Sequence, residues 1–281
     1  MRKAPPSVAH VLAEKLKKEL SEITAQARST ILTAPDRRTL NQGIALATDQ
    51  LASLSTELDP TRRPKAVFDP GNPRTVGFFI ALALTAQPRK PLSLLKLQEF
   101  YGSGVYAIYY RGSFDLYAPL RDTETPIYVG QAASEQDHAR TAIEQGARLA
   151  ARLDEHRKNI TRATATLDIT DFDYRALMVQ TGWETGAEDY LIRLFKPIWN
   201  SQTKLVFGIG KHGDSSKTRL NKRSPWDTLH QGRTWAVDEA IADAKSPATV
   251  AKELTAHFAS APPFANIADV LRGFIASLDQ T

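Results

Sequence analysis

Two short apolar runs constrain the centre of this chain. "GVYAIYY", at residues 104–110, and "PIYVGQA", at residues 126–132, are rich in β-branched and aromatic residues, and each carries a tyrosine near a glycine. Runs of this length and type read as strands, and "RGSFD" between them turns the chain. Residues 136–163 have the pattern of one long helix, "ALMVQ" at 176–180 reads as a third strand, and "TGAEDYLIRLFKPIWN" at 185–200 as a helix stopped by Pro197. The order β-β-α-β-α across 104–200 predicts a small α/β domain.

Helices flank that domain. Residues 6–34 place Val8, Val11, Leu12, Leu16, Leu20 and Ile23 at helical spacing, and 38–57 do the same with Ile44, Leu46, Leu51 and Leu54, until "DPTRRP" breaks the pattern. This predicts a helical hairpin whose job is oligomerisation, a grip on substrate, or simple packing. Residues 78–86 read as a buried helix and 91–100 as a short helix opened by Pro91. Three more helices are predicted at 236–245, 247–259 and 265–278. The expected division is an N-terminal arm (1–64), a central domain (65–236) with a basic loop at 201–235, and a C-terminal helical extension (237–281).

The chain has no cysteine, which excludes disulfides and thiolate metal sites. No apolar run nears the roughly 20 residues of a membrane span, and the N-terminus lacks a signal peptide's apolar centre. A cytoplasmic protein is expected. The net charge of +5 is concentrated: residues 201–235 hold Lys204, Lys211, Lys217, Arg219, Lys222, Arg223 and Arg233 against Asp214 and Asp227. A basic block in a Gly/Ser-rich stretch is either a solvated loop or the footprint of an anionic partner such as nucleic acid.

Several residues could carry chemistry. Arg148, Arg152 and His156 are four apart and share a helix face. Guanidinium groups suit phosphate because they donate two parallel hydrogen bonds, and an imidazole can accept a proton near neutral pH. Asp154 and Glu155 leave open a solvated charged face instead. Glu188 ends Thr185-Gly-Ala-Glu188, a capping-box pattern; it is equally a carboxylate at a helix start, able to hold Mg²⁺ beside a phosphate. Tyr106 and Tyr128 are either core or positioned phenols, and Asn200 is either a turn residue or part of a site.

Taken in order, "GSGVYAIYY", "PIYVGQA", "ARLDEHR", "GAEDYLIRLFKPIWN" and "SPWDTLHQGRTWA" resemble segments of the GIY-YIG nuclease superfamily, most closely its type II restriction endonuclease branch, whose members cut short GC-rich palindromes such as CCGCGG. The resemblance spans 65–236, with valine in place of isoleucine in both signature motifs and a longer interval between the two tyrosines than most of the superfamily has. It implies a mostly antiparallel three-stranded sheet and Mg²⁺-dependent hydrolysis of double-stranded DNA, one ion per site, with Mn²⁺ able to substitute. It further implies a homodimer acting on a palindrome, and a companion DNA methyltransferase. By the same resemblance Glu188 would hold the metal and Arg152 would neutralise charge on the phosphate. Tyr106 would sit by the attacking water with His156 near it, and Tyr128 and Asn200 would fix the geometry. Lys211, His212, Arg219, Arg223 and Arg233 are the candidate DNA-reading residues. The rival readings are a repair or homing nuclease and a catalytically inactive DNA-binding module.

Overall fold

A computed structural model describes residues 7–58, 72–96, 99–210, 222–237 and 241–278. The chain divides into two compact units, Met1–Lys65 and Ala66–Thr281.

The first unit is two long helices, α1 (Val8–Ser29) and α2 (Ala34–Leu58). Ser7 caps α1 by accepting from the His10 N–H. At the start of α2, Thr33 and Asp36 exchange backbone and side-chain hydrogen bonds, which satisfies N–H groups that have no partner inside the helix. The described side chains of both helices are exposed or half-buried; none is fully buried.

The second unit is built on one antiparallel sheet. It contains α3 (Pro73–Thr85), β1 (Lys90–Pro91), β2 (Gly104–Tyr110), β3 (Tyr128–Ala132), α4 (Ala142–Gln145), α5 (Arg148–Arg162), β4 (Phe172–Met178), α6 (Glu184–Phe195), α7 (Pro225–Leu229), α8 (Pro247–Ser260) and α9 (Ile267–Leu278). The strand order is β1-β4-β2-β3. Among the described residues the sheet has four strands rather than three, because Lys90–Pro91 forms a two-residue edge strand; Pro91 then leads into a single 3-10 turn, Leu92–Leu94, in place of the helix expected at 91–100. Residues alternate across β2. Tyr106, Ile108 and Tyr110 face α5, Trp199, Trp226 and the α8 side chains Val250 and Leu254. Val105, Ala107 and Tyr109 face α3, α6 and the α9 side chains Val270 and Phe274. The sheet is thus covered on both faces, and α8 and α9 share its two cores.

Two expected helices differ in the structure. The stretch 136–163 is interrupted at Gly146, whose φ of +73° lies in the left-handed region, so only α4 and α5 form. No α-helix forms in the described part of 236–245; it holds a single 3-10 turn at Thr234–Ala236 and a bridge between Arg223 and Asp243. Among the described residues no helix is long and apolar enough to cross a membrane.

Candidate active site

The two signature tyrosines meet because of register. Tyr106 on β2 pairs with Gly130 on β3, and Ile108 pairs with Tyr128, so Tyr106 and Tyr128 lie two positions apart on one face. Their ring centroids are 6.1 Å apart. Gly130 makes room between them: a Cβ built there would fall 2.4 Å from Tyr106 Oη and 2.9 Å from Tyr128 Cε1. The glycine of this motif is therefore required by close approach. Gly104, at the start of β2, has φ +148° and would place a Cβ 2.2 Å from the Leu177 carbonyl oxygen.

The loop before β2 is tied to the helix that carries the arginines. Gly102 donates to the Gly146 carbonyl, Leu149 N–H returns to the Gly102 carbonyl, and Ser103 N–H donates to Gln145 Oε1. This fixes the start of α5 against β2. Along α5 the shared face of Arg148, Arg152 and His156 runs from solvent into the core. Arg148 is exposed and donates to the Ala133 carbonyl. Arg152 is half-buried and paired with Glu155. His156 is fully buried, with Nε2 2.8 Å from Tyr106 Oη and its ring 4.6 Å from that of Tyr128. His156 Nδ1 is buried without a hydrogen-bond partner among the described residues.

Burial dominates the electrostatics here. It raises the Tyr106 pKa well above the usual phenol value; Tyr128 adds to the rise and Arg152 opposes it. Burial also raises Tyr128, followed by the Glu188 charge, again against Arg152. His156 is pushed down to about 3 by burial and then by the Arg152 guanidinium, so its ring is neutral at physiological pH. Tyr106 has no exposed surface, whereas Tyr128, hydrogen-bonded to it, keeps part of its surface open.

Glu188 reaches this cluster from α6. The capping reading does not apply to it, because α6 begins at Glu184. Glu184, the first residue of α6, ties the helix to the chain before it and to the loop before β2, accepting from the Gly182 N–H and the Ser103 hydroxyl. Glu188 is left half-buried, accepting the Gln131 N–H and making no ion pair among the described residues. Burial first, and Asp189 second, raise its pKa to about 7 against the pull of Arg152. Such a carboxylate has lone pairs free for a cation. No cluster of three or more metal-ligating side chains exists among the described residues, so a cation here would draw its other ligands from substrate phosphate and water. That suits Mg²⁺, which typically takes one or two carboxylates and keeps several waters.

Asn200 is used by the fold. Its Oδ1 accepts the Val129 N–H at 3.0 Å and its Nδ2 donates to the Val129 carbonyl at 2.8 Å. Buried to 3% exposure, the side chain acts as one more rung on the free edge of β3, beside Tyr128.

Of the candidate DNA-reading residues, only Arg223 and Arg233 fall among the described residues. Lys211, His212 and Arg219 lie outside the described residues. Arg223 pairs with Asp243 at 2.8 Å. Arg233 is 3% exposed, donates to Asp227 and to the Ile209 and Gly208 carbonyls, and covers the Trp226 ring. A sequence reading cannot tell a buried arginine from a solvated one, and here the buried partner Asp227 is the physical reason that Arg233 points inward. Sequence reasoning also missed Glu184 and Gln145. Thr181-Gly-Trp-Glu184 has the same spacing as Thr185-Gly-Ala-Glu188 four residues later, and the later pattern drew the reading to Glu188.

Residues 98–258 match the family described as the Eco29kI GIY-YIG domain. No curated protein matches the chain.

Proposed function

Because the chain belongs to the Eco29kI GIY-YIG family, a family of nucleases, we propose that it is a Mg²⁺-dependent type II restriction endonuclease that hydrolyses double-stranded DNA at a short palindrome, acting as a homodimer. One observation carries the reading: Tyr106, Tyr128, His156 and Arg152 converge with Glu188, a carboxylate whose pKa of about 7 reflects burial without a paired cation.

Phosphodiester hydrolysis needs charge stabilisation, an aligned water and help for the leaving oxygen. Glu188 would hold Mg²⁺ with phosphate oxygens and water, and that ion would polarise the phosphate and the leaving oxygen. Arg152 supplies the second positive charge. Tyr128, partly open to solvent, orients the attacking water. Tyr106, fully buried, holds the Tyr128 hydroxyl from behind and is itself held by His156. The neutral imidazole can take the proton passed along these two phenols once the phosphate's negative charge offsets the burial that keeps its pKa low. Asn200 positions β3 and acts through Tyr128.

The test is digestion of a genome-length DNA with and without Mg²⁺, followed by sequencing of the ends. Discrete fragments with one shared terminal sequence support restriction. Structure-dependent cuts point to repair, and retardation without cutting points to an inactive binder. Glu188→Gln and Arg152→Ala should each lower the cleavage rate on the order of 10²–10³-fold, the usual effect of removing one such electrostatic contact. A Glu188→Gln protein as fast as the parent would overturn the assignment. A pH–rate profile unchanged in His156→Ala removes the histidine from the proton path.

A further inference from the structure

The first unit has a feature that the nuclease reading does not use. On α2, Leu40, Ile44, Ala47, Leu51, Leu54 and Leu58 are separated by 4, 3, 4, 3 and 4 residues. On α1, Leu16, Leu20 and Ile23 continue the same spacing, flanked by Ala13 and Ala27. A 3-4 alternation is the seam of a left-handed coiled coil, in which two helices supercoil to bury it. Neither seam is buried. Leu16, Leu20, Ile23, Ile44, Leu54 and Leu58 remain 43% to 72% exposed. Helices of this length that bury nothing are marginal in water, since most helical stability in proteins comes from packing an apolar face.

We propose that these two seams are covered by the same two helices of a second copy of this chain, making α1 and α2 a self-association module. Two observations choose this occupant. The first is charge. Within 7–58 there are six lysine and arginine residues and six aspartate and glutamate residues, so the unit is neutral in a chain whose formal net charge is +5. A DNA grip would need a positive excess, whereas a neutral surface meets its own copy without repulsion. The second is area. At about 1.5 Å per residue and about 10 Å width, the two helical faces offer roughly 700 Å² per protomer. A two-fold pairing would then bury about 1,400 Å², inside the range of stable interfaces.

The proposal rests on the homodimer of the proposed function and assigns its interface to α1 and α2; its test uses no DNA, so it can fail while the cleavage assay still stands. The mass of the full chain is measured by light scattering at micromolar concentration, for the parent, Leu20→Glu, Leu54→Glu and the double variant. The parent is expected at a multiple of 31.0 kDa, and the double variant at half the parent's mass. All four tryptophans lie beyond residue 66, and 7–58 contain no aromatic residue, so near-UV circular dichroism reports whether the second unit remains folded. A parent that runs as a monomer overturns the proposal, whether another protein or the rest of the chain covers the seams. So does a double variant of unchanged mass. A mass that halves while the near-UV signal is retained supports it.

Discussion

At the residue scale the site depends on what is absent at position 130. The room for two phenols side by side comes from a missing Cβ, and the sequence showed this only as a glycine two residues after a tyrosine. Gly130→Ala puts a methyl within van der Waals distance of both rings, so Tyr106 and Tyr128 must move apart. Overpacking of this kind typically costs about 1–3 kcal/mol. Because the proposed function places the reaction at these two hydroxyls, cleavage should fall further than folding stability does. Chemical unfolding and single-turnover cleavage on the same preparation check this. A variant that loses stability but cleaves at the parental rate would mean that the spacing of the phenols is not critical. Tyr106, Tyr128, Arg152, His156 and Glu188 were picked out as candidates by the order of segments that carries the family resemblance, since each alone also read as core or as a solvated face. The burial that separates the two tyrosines was not legible, because it depends on what packs above the sheet.

At the scale of elements, β2, β3 and α6 were legible because each is short and bounded by glycine, proline or polar residues; β4 was legible only in part, since the run at 176–180 covers just the end of a strand that starts at Phe172. The break between α4 and α5 was not, since Gly146 has its left-handed conformation to bring the Gly146 carbonyl to the Gly102 N–H, a contact from a distant part of the chain. Asn200 likewise looked like a turn residue and is a rung on β3. Asn200→Asp keeps the acceptor for the Val129 N–H but turns the donor facing the Val129 carbonyl into an oxygen. Loss of a buried hydrogen bond in this way typically costs about 1–3 kcal/mol. The variant should melt lower and turn over more slowly while binding DNA with unchanged affinity, a split readable from thermal unfolding beside binding and cleavage assays. Arg233 gives the opposite lesson, a basic residue in a basic stretch that serves the fold. Arg233→Met leaves Asp227 buried without its cation, which typically costs about 3–5 kcal/mol. A DNA-reading arginine would instead give a stable protein with relaxed sequence preference, so urea unfolding of this one variant decides between the two roles.

For the whole molecule, the buried ionisable groups set how stability responds to acid. His156 and His230 both fall from an ordinary value of 6.5 to about 3 on burial, with Arg152 adding to the shift at His156. His230 is held neutral between Tyr117 and Thr166. Below pH 6.5 the unfolded chain takes up a proton at each, while the folded chain does so only near pH 3, so the stability owed to two neutral rings is complete above pH 6.5 and is lost as the pH falls. Glu188 works the other way. Its pKa rises from 4.5 to about 7 on folding, so between those values the folded chain holds the extra proton and gains stability as the pH falls. Between pH 6.5 and 4.5 two histidines oppose Glu188; His257, shifted down mainly by burial, adds to the histidine side, and Asp171, raised from 3.8 by burial, sides with Glu188 toward the acid end. The paired carboxylates Asp154 and Glu124, whose pKa values lie below their ordinary 3.8 and 4.5, respond mostly below this window. Unfolding therefore takes up about one net proton, a slope of about 1.4 kcal/mol per pH unit. Glu188→Gln removes the opposing group and should steepen the slope by about one further proton, while His230→Asn should flatten it. Urea unfolding followed by tryptophan fluorescence across this range measures each slope, and a parental stability that stays level or rises on acidification contradicts the burial assigned to both imidazoles.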